Sequence, residues 1–163
     1  HEDVRVLPDT FDESRPRTTL AKQLALYVVI YSPLQMAADL PENYEGKPAF
    51  QFIRDVAVDW ETSKTIDGRI GDYVIVARKA KNSNDWFLGA ITDEEGRTFN
   101  VPLNFLTPGR KYTAEIYADG PGANWATNPL PVSISKRTVD SNTNLSVVLA
   151  PGGGQAVRFT PVR

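Results

Sequence analysis

Two apolar runs joined by a polar turn, within residues 71–93, constrain the fold of this chain most strongly. Residues 73–78 and 86–92 are rich in β-branched and aromatic side chains, which pack well on a pleated surface. The turn between them, residues 79–85, holds two Asn, one Ser and one Asp, whose side chains favour turns. Because both runs are apolar at successive positions, we expect a hairpin that is buried on both faces, with other strands laid around it.

The residues after this hairpin predict further short strands separated by turn residues. These strands are residues 97–103, 111–118, 131–139, 144–149 and 155–160. Together with the hairpin they make about seven strands, the spacing typical of an antiparallel β-sandwich. Pro102 and Pro131 indicate edge positions or strand starts, because proline donates no hydrogen bond to a neighbouring strand.

A helix is predicted before the sandwich, over residues 18–32. Thr18 or Thr19 can cap its start, and Pro33 ends it because the residue before a proline avoids the α region. This helix is apolar on all sides, so it needs protein on every side. A sandwich can cover one side only, and each large apolar side chain left in water costs roughly 1.5 to 3 kcal/mol. We therefore expect the chain to be the end of a longer protein.

Composition excludes several functional classes. The net charge of -2, without a long basic run, argues against binding to nucleic acid. The chain has no cysteine, and His1 is its one histidine, so neither a thiolate metal site nor a cluster of histidine ligands can form. The uncharged, mainly apolar stretch of residues 23–38 is interrupted by proline and falls short of the about 20 apolar residues that a membrane span needs.

Several blocks of sequence, in order, resemble the C-terminal end of glycoside hydrolase family 97, which includes α-glucosidases and α-galactosidases. The blocks are ALYVVIYSPLQMAADLPENY, FIRDVAVDWETSKTIDGRIGDYVIVAR, DWFLGAITDE, LNFL and YTAEIYADG. The resemblance implies that residues 1–58 are the end of a catalytic (β/α)8 barrel and residues 59–163 a C-terminal β-sandwich. It makes residues 18–32 a late barrel helix, residues 33–39 the last barrel strand and residues 49–56 the last barrel helix.

The resemblance also implies a function for the intact enzyme. Members of the family hydrolyse α-glycosidic bonds, which needs two carboxyl groups across the scissile bond, and some bind calcium. Those residues lie earlier in the family's sequence, so no catalytic or metal-binding residue is assigned here. The chain is expected to be inactive alone and to support the barrel. Its expected partners are the rest of the glycosidase and, in the intact enzyme, an oligosaccharide. The expected location is periplasmic or extracellular.

Three residues are candidates for sugar contact. Asp39 follows the last barrel strand of this interpretation, and the carboxyl ends of barrel strands face the active site. Trp60 and Trp125 offer flat aromatic faces that suit sugar rings, whereas Trp86 is predicted to be buried. The competing interpretations are a capping loop residue for Asp39 and ordinary packing for the tryptophans. A non-catalytic carbohydrate-binding module is therefore the alternative function.

Two acidic clusters are predicted to be structural. Asp55, Asp59 and Glu61 are close in sequence, but nothing fixes their separation as an acid/base pair requires. Residues 93–95 are acidic and read as a solvated turn, with calcium binding as the less favoured alternative.

Overall fold

The computed structural model describes residues 16–37 and 40–162, with nothing described for the side chain of Pro41. Within these ranges three helices precede eight strands. The helices are α1 (Leu20–Val29), α2 (Pro41–Tyr44) and α3 (Phe50–Asp55). The strands are β1 (Trp60–Arg69), β2 (Tyr73–Ala80), β3 (Trp86–Thr92), β4 (Arg97–Pro102), β5 (Tyr112–Asp119), β6 (Val132–Val139), β7 (Asn144–Leu149) and β8 (Gly154–Pro161). None of these helices is long and apolar enough to cross a membrane.

The strands form two antiparallel sheets, as the spacing of the predicted strands indicated. The larger sheet has the order β1-β2-β3-β8-β5-β6, and the smaller one pairs β4 with β7. Pro102 ends β4 in the smaller sheet, and Pro131 stands directly before the edge strand β6. Both prolines therefore occupy the places at which a missing backbone donor does least harm.

The larger sheet is buried on both faces. Leu88, Tyr112 and Val157 belong to the core between the two sheets. Phe87 belongs to a second core on the opposite face, where helices α1 and α3 pack. Neighbouring residues of one strand thus enter different cores, which confirms the prediction of a central hairpin with two apolar faces.

The prediction of about seven strands requires one correction, because β1 was missed. This strand pairs with β2 at the edge of the larger sheet, and most of its side chains are exposed. Two register shifts, at Trp60/Thr62 and Thr65/Asp67, also break its alternation. A polar, bulged edge strand carries no period-2 apolar pattern, so residues 60–69 were not predicted as a strand.

The first segment also differs from its prediction. Helix α1 ends at Val29 rather than at Ser32, and residues 33–37 form no strand. A strand needs a neighbour to satisfy its backbone groups, and no described strand lies beside these residues. Residues 50–55 are helical as predicted, and residues 41–44 form the short helix α2.

Candidate interaction surface

Helix α1 is fixed to the larger sheet at its first turn. The Thr19 side chain caps the helix by accepting a hydrogen bond from the backbone N–H of Lys22. The Thr19 N–H donates to the carbonyl oxygen of Gly152 at 3.1 Å. The Lys22 ammonium donates to the carbonyl oxygen of Thr92 at 2.6 Å, and burial lowers the pKa of this lysine. These bonds connect the helix start to β3 and to the turn before β8.

Glycines in the sheet allow α1 to approach closely. A Cβ atom at Gly89 on β3 would lie 2.7 Å from the carbonyl oxygen of Ala25, and one at Gly154 on β8 would lie 2.5 Å from the Cα atom of Lys22. Such distances are shorter than van der Waals contact, so only glycine fits. The inner side of the helix, including Leu24 and Val28, is fully buried as a result.

The outer side of α1 is only partly covered. Leu26, Tyr27 and Val29 are half-buried. The apolar character continues past the helix into a stretch that we call the apolar segment, residues 30–37 together with Leu40. Its large apolar side chains are between 56% and 78% exposed, and they are Ile30, Tyr31, Leu34, Met36 and Leu40. Single exposed apolar residues are ordinary, but five within eleven positions are typical of an interaction site.

A polar contact attaches the apolar segment to α1, since the Tyr27 hydroxyl donates to the carbonyl oxygen of Met36 at 3.2 Å. Within the segment, the Gln35 side-chain amide donates to the carbonyl oxygen of Ile30 at 3.1 Å. Helix α3 provides a second fixed element, since Phe52 is fully buried and packs edge-on against Tyr117, with ring centroids 5.2 Å apart. The exposed side chains therefore lie beside a well-packed body.

Trp60 contributes to the packing around α1. Its ring meets Phe87 edge-on at a centroid distance of 5.5 Å, and the guanidinium carbon of Arg78 lies 5.9 Å from the ring centre. The indole Nε1 is buried without a hydrogen-bond partner. These contacts use the ring in the protein's own packing, and sugar contact through Trp60 stays a prediction.

Trp125 lies far from Trp60. It is half-buried in the β5–β6 connection, and its backbone N–H donates to the carbonyl oxygen of Pro151 at 3.1 Å. Its side chain leaves no room for a Cβ atom at Gly152. Gly152 precedes Gly154, which pairs with Ile91 at one end of β3. Trp60 pairs with Ala80 of β2, next to the residue that pairs with Trp86 at the other end of β3. The structure therefore does not bring the two tryptophans together. The third candidate, Asp39, lies outside the described residues.

The acidic residues that resembled an acid/base pair are ion-paired instead. Each one has its own cation, so no two of them share a site. The pairs are Asp55 with Arg158 at 2.8 Å, Asp59 with Lys81 at 2.9 Å and Glu61 with Lys79 at 2.9 Å.

A concavity of about 480 Å³ opens beside the β1–β2 turn, lined by Ile70, Tyr73 and Ile91 among others. Its carboxylates, Asp72 and Asp93, both form ion pairs with Arg97. This arginine holds the pKa of Asp93 at about 2. Asp93 is thus not a free acid or base. Glu94 and Glu95 are exposed, which agrees with the prediction of a solvated turn.

Metal binding finds no support in this part of the protein. Among the residues that the structure describes, no three His, Asp or Glu side chains come together as ligands.

Comparison with known proteins supports the relationship that the sequence blocks suggested. Residues 59–160 match the family model described as glycosyl-hydrolase 97 C-terminal, oligomerisation. The chain is 34% identical over 150 residues to the retaining alpha-galactosidase of Bacteroides thetaiotaomicron, which covers 91% of this chain and 22% of that protein. A probable retaining alpha-galactosidase of Streptomyces bingchenggensis is 30% identical over 139 residues, covering 84% of this chain and 20% of its own.

Solved structures agree in fold. A glycoside hydrolase family 97 enzyme from Pseudoalteromonas sp. strain K8, in complex with acarbose, is 52% identical with a TM-score of 0.89, over 91% of this chain and 23% of that one. A beta-arabinopyranosidase, 24% identical with a TM-score of 0.70 over 87% of this chain and 21% of its own, shares the fold. The chain thus spans about a fifth of the length of its relatives. Because the family model covers well over half of it, the chain belongs to the family of glycosyl-hydrolase 97 C-terminal, oligomerisation domains.

Proposed function

We propose that this chain is the C-terminal accessory portion of a family 97 α-glycosidase, and that its apolar segment packs against the catalytic part of that enzyme. The observation that carries the proposal is the exposure of Ile30, Tyr31, Leu34, Met36 and Leu40 beside a helix whose inner side is fully buried. Covering these side chains would remove a cost of roughly 1.5 to 3 kcal/mol for each one that becomes fully buried.

The catalytic step belongs, in this proposal, to the part of the enzyme outside this chain. Hydrolysis of a glycosidic bond needs two carboxyl groups facing each other across that bond. The acidic residues described above each form an ion pair with Arg97, Arg158 or a lysine. The substrates of the intact enzyme are α-galactosides or α-glucosides, and the chain alone hydrolyses neither.

Self-association of the enzyme is the second role in this proposal. Residues 59–160 match a family model whose description includes oligomerisation. These residues contain both sheets except the end of β8. The apolar segment precedes that range. One portion of the chain would thus face the catalytic part while the sandwich contacts another copy of the enzyme.

Charge substitution in the apolar segment tests the packing proposal. Leu34→Glu should lower the melting temperature of the intact enzyme by several degrees and leave that of the 163-residue chain almost unchanged, since Leu34 is 75% exposed in the chain alone. Val148→Glu, at an exposed position of β7, is the matched control and should be neutral in both proteins. Equal effects of Leu34→Glu in the two proteins would argue against burial by the catalytic part.

Hydrolysis assays test the catalytic part of the proposal. The intact enzyme should cleave a nitrophenyl α-galactoside or α-glucoside, and the 163-residue chain should cleave neither. Turnover by the chain alone would overturn the accessory role.

A further inference from the structure

Strand β6 leaves one edge of the larger sheet open. It pairs with β5 along its whole length, from Val132↔Asp119 to Val139↔Tyr112, and among the described strands it has no second neighbour. Its residues 133–138 are exposed on both faces of the sheet. The pairing with β5 shows no register shift. A regular edge of this kind is a template for pairing with another strand.

The hydrogen-bonding direction along β6 follows from one contact at its start. The Gly120 N–H donates to the carbonyl oxygen of Pro131 at 2.9 Å, so residue 131 faces β5. Backbone groups alternate in an antiparallel pair, and therefore residues 133, 135 and 137 also bond to β5. The N–H and C=O groups of residues 132, 134, 136 and 138 point to the open edge.

Two of the other edges are protected against such pairing. Strand β1, at the far side of the larger sheet, contains two register shifts that interrupt its ladder. Strand β4 ends in Pro102, which has no N–H to donate. Both features are devices by which natural proteins prevent edge pairing. Strand β7 is also regular, but it has six residues against the eight of β6, so β6 is the longer regular edge among the described strands.

We propose that β6 pairs antiparallel with β6 of a second copy of this chain, about a two-fold axis that passes beside Ser135. The proposal rests on the oligomerisation role given above and specifies its surface. A two-fold axis normal to the sheet keeps every side chain on the same face of the sheet in both copies. Residues that lie directly opposite each other point to the same face, so one residue of β6 must lie opposite its own copy. Centring on Ser135 pairs residues 132–138, whereas centring on Ile134 pairs only residues 132–136. Centring on Lys136 would set two ammonium groups against each other, which is unfavourable.

The side chains suit the Ser135 register. Ile134 then stands opposite Lys136 of the second copy, and Ser133 opposite Arg137 of the second copy, so no like charges meet. Lys136 is also held by Glu115 of its own sheet at 3.0 Å, which partly neutralises it. The outward backbone groups of residues 134 and 136 face each other as a hydrogen-bonded pair.

Single cysteines test this register directly, because the chain contains no cysteine of its own. In a non-hydrogen-bonded antiparallel pair the Cα atoms are about 4.5 Å apart, within the range that a disulfide bridges. Ser135→Cys should therefore form a disulfide-linked dimer under mild oxidation. Ser133→Cys is the matched control, equally exposed on the same face. Its copy would be displaced by four residues, roughly 13 Å along the strand.

The expected result is cross-linking of Ser135→Cys at least about tenfold faster than that of Ser133→Cys on non-reducing gels. Equal rates would overturn the register. If neither variant cross-links while sedimentation velocity shows that the unmodified chain is a dimer, the edge proposal fails and the oligomerisation role stands. A monomeric unmodified chain at the highest concentration reached would overturn both.

A proline substitution tests the edge without a cross-link. Ile134→Pro removes an N–H that points outward, so it leaves the bonds between β5 and β6 intact. We expect at least about a tenfold rise in the dimer dissociation constant for Ile134→Pro, because two outward N–H donors are lost per dimer. Ile134→Val, which keeps its N–H, should dimerise normally. Unchanged dimerisation of a folded Ile134→Pro chain, with folding checked by circular dichroism, would contradict the proposal.

Discussion

Arg78 of β2 closes the C-terminal end of helix α1 by donating from its Nε atom to the carbonyl oxygen of Val28 at 2.6 Å. A second nitrogen donates to the carbonyl oxygen of Val29 at 3.1 Å, and a third to the Ser63 hydroxyl at 2.6 Å. The last carbonyls of a helix have no partner within the helix, and the negative end of its dipole favours a cation. Arg78 therefore fixes where α1 ends and where the apolar segment begins.

Replacement of Arg78 by methionine should destabilise the chain by about 2 to 3 kcal/mol, since one buried and one partly buried carbonyl oxygen lose a charged donor. Arg78→Lys should recover part of this loss, because a lysine restores the charge but not the forked geometry. Urea denaturation of the 163-residue chain measures both effects. A loss below about 0.5 kcal/mol for Arg78→Met would show that α1 is held by packing alone.

Close contact between α1 and the sheet leads to a second prediction, for Gly89→Ala. The added methyl group would lie 2.7 Å from the carbonyl oxygen of Ala25 and 2.9 Å from the Cβ atom of Val28. We expect a destabilisation of about 1 to 3 kcal/mol from this overpacking. Gly68→Ala is the control, because the nearest atoms there are at 3.4 Å, an ordinary contact. Similar unfolding midpoints for the two variants would contradict the tight packing of the helix.

A third prediction concerns acid stability. Asp93 accepts hydrogen bonds from Arg97 and from the Glu95 N–H at 2.9 Å, and the arginine holds its pKa at about 2. A depressed pKa in the folded state means that the stabilisation is complete above the ordinary Asp pKa of about 4 and is lost as the pH falls towards 2. The stability difference between the unmodified chain and Asp93→Asn should therefore be constant at pH 5 to 7 and shrink between about pH 4 and 2. Urea titrations across this pH range measure it, and a difference that grows in acid would have the wrong sign.

Sugar binding separates the accessory role from that of a carbohydrate-binding module. We expect no heat on titrating the 163-residue chain with maltooligosaccharides or melibiose, because the Trp60 ring packs against Phe87 and Trp125 lies against Gly152. Trp125→Ala is the variant to compare. Binding heat that disappears in Trp125→Ala would establish the module and remove the support for a purely structural role.

Sequence patterns predicted the parts of this fold that are apolar and regular. The two apolar faces of the central hairpin were visible because Phe87 and Leu88 are adjacent, and each needs a core. Strand β1 escaped detection because its side chains face solvent and its bulges disrupt the alternation. The position of β8 between β3 and β5 depends on contacts between distant parts of the chain, which no local pattern records.

For the apolar segment, too, the sequence predicted the apolar character but not the structure that depends on distant residues. The sequence predicted that the helix of residues 18–32 is apolar beyond what the sandwich can cover. Ile30 and Tyr31, which lie just beyond the end of α1, are exposed, whereas the outer side of α1 itself is half-buried. The pattern could not show that the helix stops at Val29, because the group that stops it is Arg78, which lies 50 residues from Val28 in sequence. Residues 33–37 form no strand in this chain, because a strand forms only where another one is available to pair with it. Their assignment to a barrel strand of the intact enzyme stays a prediction.

Oxidation of Met36 tests most directly whether the apolar segment is covered in the intact enzyme. Met36 is the one methionine of the chain and is 78% exposed, so hydrogen peroxide should convert it readily to the sulfoxide in the isolated chain. In the intact enzyme, peptide mass spectrometry should find this oxidation at least about tenfold slower, because buried methionine reacts poorly. Equal oxidation rates in the isolated chain and the intact enzyme would contradict the burial of the segment against the catalytic part.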